Sequence, residues 1–262
     1  DYGAGLQAVD FAGNLDASRV AINRWVAART SDRIRELLGP DSINNLTRFV
    51  LVNAIFFKAS WASPFEPAQT TSATFHRLDG TTLNVPTMHG SFEGSYVRGE
   101  GWRAIEIPYV GATMTVILPD AGRFAAVEQA LDSDFLAALA TRRSFDLVHL
   151  AMPRWSSTTS VDLVTTLRQL GVTDLFDPGA ADLSGIAAAD LHVSQVIHQA
   201  TIDVDEHGTE AAAATAIAGG TTGGGPVTEV TVTVDRPFFY LIRDGDSGEI
   251  LFTGRVLDPA AH

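Results

Sequence analysis

Residues 245–248 read GDSG, a setting in which one class of hydrolase carries its nucleophilic serine. Ser247 would then need a histidine to take its proton and a buried aspartate to orient that imidazole. Turn chemistry accounts for the same residues, because they separate FFYLI from EILFTG and an Asp-Gly pair is a hairpin signal. Ser247 stands near the C-terminal end, and none of His76, His89, His149, His192, His198 or His207 has a local setting that would activate it. DVDEHGTE, counted from Asp203, opens like a calcium loop, but its fifth and twelfth positions hold His207 and Ala214 where oxygen ligands are required. The histidines lack metal-ligand spacing and there is no cysteine. The expectation is no catalytic residue, no metal and no cofactor.

The segment 206–226, EHGTEAAAATAIAGGTTGGGP, combines contradictory signals. Four consecutive alanines favour helix, the Gly and Thr run favours a flexible linker, and strand patterns flank both sides (ATIDVDE and VTVTVD). Drawn as a strand, one face carries Thr209, Ala211, Ala213, Thr215 and Ile217, and the other carries Glu210, Ala212, Ala214, Ala216 and Ala218. The first face has no charge, so such a strip could enter a sheet without burying one. A low-complexity linker is the competing reading.

The surrounding elements must present this segment. DASRVAINRWVAARTSDRIRELLGP predicts a helix, a break near Thr30-Ser31 and a short second helix stopped at Gly39-Pro40. FVLVNAIFFKASW predicts a strand buried on both faces in the middle of a sheet. Short strands dominate residues 71–119. FAAVEQALDSDFLAALATRR then predicts one helix, and SVDLVTTLRQLGVTDLF another, capped by Ser160 and ending near Gly171. VSQVIHQATIDVDE predicts a long strand leading into the segment, and RPFFYLIRDGDSGEILFTGRV a closing hairpin. Helices clustered apart from antiparallel strands make the class α+β with more than one sheet. His198, alone on its strand, reads first as a core histidine.

The composition is that of a globular chain: 262 residues, 45% hydrophobic, with a net charge of −13 from 31 acidic and 18 basic residues. No basic run exceeds Arg142-Arg143 and no apolar run reaches membrane-spanning length, so neither nucleic acid nor membrane is an expected partner.

Four stretches together resemble one family. VDEHGTEAAAATA is similar to the reactive-loop hinge of serpins, inhibitors of serine proteases that work by loop insertion. DRPFFYLIRDGDSGEILFTGRVLDP is similar to their C-terminal signature, LVNAIFFKASWASPFEP to the strand and turn at the centre of their main sheet, and INRWVAARTSDRIRELL to the helix and linker before it. The resemblance covers nearly all of residues 2–259 in family order. It implies a single serpin domain over 1–262, incomplete at its N-terminus, with a reactive-centre loop and hinge at 206–226. The member is expected to be bacterial and secreted, a monomer when complete, and a suicide substrate for a target serine protease held as a covalent acyl-enzyme. A serpin-fold binding or chaperone-like protein without inhibitory activity is the alternative.

Residue roles follow from the resemblance alone. Glu206, Gly208, Thr209, Glu210, Ala211, Ala212, Ala213, Ala214 and Thr215 form the hinge, with Thr209 the first side chain to enter the sheet. Family spacing puts the scissile bond at Thr222-Gly223, within a window of 217–225. The absence of Arg and Lys there points to an elastase-like or subtilisin-like target. Asn53 and His198 are the polar pair under the opening strands, Trp61 caps the sheet, and Arg154 pairs with Glu206. The N-terminal third of the family domain is expected to be missing, leaving one face of FVLVNAIFF uncovered.

Overall fold

The computed structural model describes residues 5–141, 144, 146–187, 191–209 and 228–261. In chain order they form helix α1 (Leu15–Arg29) and strands β1 (Val50–Phe56), β2 (Ala59–Ser60), β3 (Thr71–His76), β4 (Thr82–Gly94), β5 (Tyr96–Gly99), β6 (Trp102–Pro108) and β7 (Ala112–Pro119). Helices α2 (Phe124–Ala130) and α3 (Ser133–Thr141) follow, then β8 (Asp146–Pro153), β9 (Trp155–Asp162) and α4 (Val164–Gln169). The last strands are β10 (Gln195–Asp205), β11 (Gly208–Thr209), β12 (Thr228–Thr233), β13 (Phe238–Asp244) and β14 (Ile250–Val256). Contacts divide the chain into two compact units, one of residues 1–56 and 158–201, the other of 57–157 and 202–262.

In the first unit β1 lies parallel to the N-terminal stretch of β10, from Val50 opposite Gln195 to Phe56 opposite Thr201. α1 begins under the side chain of Asn14, which accepts from the Ala17 amide. The second short helix does not form. Ser31 and Asp32 take positive φ values of 49° and 62°, which turn the chain out of the helix. Asn23 then holds both backbone groups of Leu38, donating to its carbonyl and accepting from its amide at 2.8 Å each. Ile34, Leu37 and Leu38 still bury against Val26, so the periodic apolar residues were core residues without being helical. β1 also departs from expectation. Among the described residues it has a neighbour on one side only, its exposure alternates over residues 50–53, and Leu51 is 38% exposed. Its outer side, residues 5–11 and α1 enclose an open groove of about 600 Å³ lined by Phe11, Ile22, Trp25, Val50 and Val52. Ser160 does not cap α4. It lies within β9, and Asp162 accepts from the Val164 amide at 2.9 Å instead.

The second unit holds two sheets. One is ordered β12-β8-β4-β3, with β12 parallel to β8 and the other neighbours antiparallel. The other, β14-β13-β7-β6-β5, is antiparallel throughout. β7 and β13 are continuous apolar runs because both of their faces are covered. Phe238, Tyr240 and Ile242 join Met114, Val116 and Leu118 in the larger core, whereas Phe239 and Leu241 join Ile117, Phe124, Val127 and Leu139 in a smaller one. The predicted long helix at 124–143 is two helices. Asp132 breaks it by accepting from the Phe135 amide at 2.8 Å, which caps α3.

Candidate functional site

The chain passes from the first unit into the second within β10, and the residues that the serpin resemblance reads as the hinge follow directly. Glu206 and His207 make a tight turn, after which Gly208 and Thr209 run back antiparallel to β10, opposite Asp205 and Val204. Their other edge pairs with β2, Gly208 opposite Ser60 and Thr209 opposite Ala59. Thr209 therefore already lies inside a sheet, with 0% of its surface exposed. Gly208 has φ +136°, and a Cβ added there would meet the Ala59 carbonyl oxygen at 2.3 Å and the Ser60 Cα at 2.8 Å. Both conditions select glycine.

Trp61 forms the floor of this turn. It is buried, its Nε1 donates to the Asp205 carbonyl at 2.8 Å, and its amide donates to the His207 carbonyl at 3.0 Å. Its ring stacks on Tyr109 at 4.0 Å and 11°. The Tyr109 hydroxyl and the Thr209 hydroxyl are 2.8 Å apart. Burial pushes the Tyr109 phenol up from its usual pKa of 10.0, so it stays protonated at ordinary pH.

Glu206 is 3% exposed and ion-paired with Arg154, whose Nε donates to it at 2.7 Å. Thr70 donates to the same carboxylate, and the Glu206 carbonyl accepts from the Phe65 amide at 2.9 Å. Burial by itself would raise the Glu206 pKa, but the Arg154 and Thr70 hydrogen bonds outweigh it and hold the carboxyl below its usual 4.5. A carboxylate with a depressed folded pKa contributes stability that is fully present above the unfolded value and lost as pH falls through the folded one. Glu206→Gln is therefore expected to flatten the acid-side fall of the thermal midpoint below pH 4.5, read by circular dichroism against pH.

Asn53 and His198 stand opposite each other in the β1–β10 register, so their side chains leave the same face. Over these seven pairs β1 and β10 bond directly to each other, with no strand between them. Glu210, Ala211, Ala212, Ala213, Ala214, Thr215, Thr222 and Gly223 lie outside the described residues. Tyr109 and Thr70 are the hinge contacts that local sequence reasoning missed; neither sits in a motif, and both reach the hinge only through the fold.

No protease-like site forms at GDSG. Ser247 donates to Asp244 at 2.9 Å and accepts from the Glu249 amide at 3.2 Å, closing the β13–β14 turn without a histidine. Ser247→Ala is expected to leave any activity of the chain unchanged in the assay that detects it. A nearer imitation of a hydrolase lies on the outer face of the β12-β8-β4-β3 sheet. There Ser91 is 2.7 Å from His149 Nδ1, and His149 Nε2 is 3.6 Å from Glu229. At His149 β8 is laddered on both sides, by β4 and β12, whereas β3 pairs with β4 only as far as Thr87, four residues before Ser91.

The family model described as "Serpin (serine protease inhibitor)" matches residues 1–259. The chain belongs to the serpin family. It is 38% identical to antithrombin-III of Mus musculus over 268 residues, covering 100% of this chain but 57% of that serpin. With human leukocyte elastase inhibitor the identity is 37%, covering 98% of this chain and 71% of the relative. Both relatives are mammalian, which does not bear out a bacterial source. The solved structure of thyroxine-binding globulin in complex with thyroxine superposes with a TM-score of 0.86 at 30% identity, over 98% of this chain and 68% of that one. The serpin resemblance and the α+β serpin fold both stand. Among the described residues no helix is long and apolar enough to cross a membrane.

Proposed function

We propose that this serpin chain carries the loop and hinge of a suicide-substrate inhibitor of a serine protease, acting outside the cell, with residues 206–226 as the reactive segment of a single serpin domain. The observation that supports it best is the direct pairing of β1 with β10 just before a hinge whose first residues already occupy a sheet position. An inserting strand would replace this single seven-residue ladder with two. At ~1 kcal/mol net for each added hydrogen bond, the gain is on the order of 5–10 kcal/mol.

The chemistry is acyl transfer. The protease serine oxygen adds to the Thr222 carbonyl carbon, the bond to the Gly223 nitrogen breaks, and that nitrogen leaves with the proton. The freed strand, about 15 residues at ~3.3 Å each, would carry the acylated protease on the order of 50 Å. Loss of even one oxyanion-hole donor in the deformed protease slows deacylation about 10²–10³-fold. Small residues through 217–225 suit an elastase-like or subtilisin-like enzyme.

The test is a denaturing gel of the chain mixed with such a protease. A heat-stable band at the summed masses is the expected result. Cleavage within 217–225 without that band would overturn inhibition by this chain. It would favour the second reading, a serpin-fold binding protein, for which the likeness to thyroxine-binding globulin is the supporting observation.

A further inference from the structure

The hinge strand β11 is two residues long, so its backbone ladder is short on both edges. Its one side chain, Thr209, is wholly buried, and the hydroxyl there has Tyr109 as partner at 2.8 Å. A buried hydroxyl without a partner is costly, so this contact adds to the short ladders that keep Gly208 and Thr209 in place. Tyr109 is held by more than the Thr209 hydroxyl. Its ring is held between Trp61, stacked at 4.0 Å, and Phe57, edge-on at 5.2 Å. Its amide donates to the Ala112 carbonyl at 2.9 Å. The phenol is thus presented by a rigid core to a segment that binds it through few other groups.

We propose that the Tyr109–Thr209 hydroxyl pair is a latch that decides whether the hinge is seated or free, and so sets how readily the loop is offered to a protease. Tyr109 is a positioning residue. The last clause rests on the inhibitory reading; the latch itself does not. When the pair is broken, Gly208 and Thr209 can leave the slot between β10 and β2, and the loop gains slack at its base.

Tyr109→Phe removes one oxygen and keeps the ring stack, and Thr209→Val removes the hydroxyl from the other side. Hydrogen exchange at residues 207–209, followed by mass spectrometry, is expected to rise about tenfold in either variant. The double variant should rise no further than either single one, since the same contact is lost. Thr209→Ser, which keeps the hydroxyl, should restore slow exchange, and amides of β13 should not change in any variant. Unchanged exchange at 207–209 in Tyr109→Phe, or a rise shared equally by β13, would overturn the latch. Mixed with an elastase-like protease, the released variants should be cut or captured faster. Faster hinge exchange with no capture by any form would uphold the latch and count against the inhibitory reading.

Discussion

Replacing Gly208 by alanine is expected to drive the hinge out of its slot. A side chain at φ +136° costs about 1–3 kcal/mol wherever it occurs. The added Cβ would also overlap the Ala59 carbonyl oxygen at 2.3 Å and come within 2.8 Å of the Ser60 Cα and Trp61 nitrogen, all backbone atoms of or beside β2. Overpacking of that kind costs about 1–3 kcal/mol more. The chain has an escape, because β11 is bound by only two residues per edge. Unseating therefore caps the total loss, and the change should appear as faster exchange at 207–209 and as solvent access to Thr209. The slot then refills only if β2 shifts. A Gly208→Ala variant with wild-type exchange at the hinge and an unchanged thermal midpoint would contradict this account of the slot.

Arg154→Ala is the second large effect, and its pH dependence is the most diagnostic feature. Glu206, 3% exposed in the parent chain, would keep Thr70 as its remaining side-chain partner. An uncompensated buried charge costs several kcal/mol; because the Arg154 side chain is 44% exposed and water can enter where it lay, about 2–3 kcal/mol is expected. Burial is the largest influence on this carboxyl. The strongest lowering influence, the Arg154 hydrogen bond, would then be gone and only Thr70 and the backbone would oppose burial, so its pKa rises relative to the parent chain. The acid-side loss shrinks. In the parent chain stability is lost as pH falls through the depressed pKa; in Arg154→Ala less of that contribution is there to lose. Urea midpoints against pH should therefore converge in acid and diverge toward neutrality. Glu206→Gln in the Arg154→Ala background should recover much of the loss, since the buried charge is gone. Parallel pH profiles for parent and Arg154→Ala would mean that the pair is a surface contact of little weight.

Much of the architecture was legible because it is local. Period-2 burial in β8 and the doubly covered runs of β7 and β13 follow from the order of apolar residues along each strand. The GDSG turn could be discounted as a catalytic site from its two flanking strands. The helical errors have local causes of another kind. Asp132 and Asp162 each accept a backbone amide and start a helix where the apolar periodicity alone would run on or begin earlier. The pairing of Asn23 with Leu38 ties up the groups a second helix would have needed.

The sequence by itself determined the class of the fold, the strands on either side of residues 206–226, and the order of residues 209–217, in which one alternate set carries no charge. It did so because side-chain alternation and backbone permissiveness are properties of neighbours along the chain. Only the tertiary structure decided that Gly208 and Thr209 sit between β10 and β2, that among the described residues β1 has a neighbour on one side only, and that Glu206 and Thr209 find Thr70 and Tyr109. Those partners lie 136 and 100 residues away. Contacts over such separations depend on how strands order themselves in sheets, which no local pattern of residues encodes.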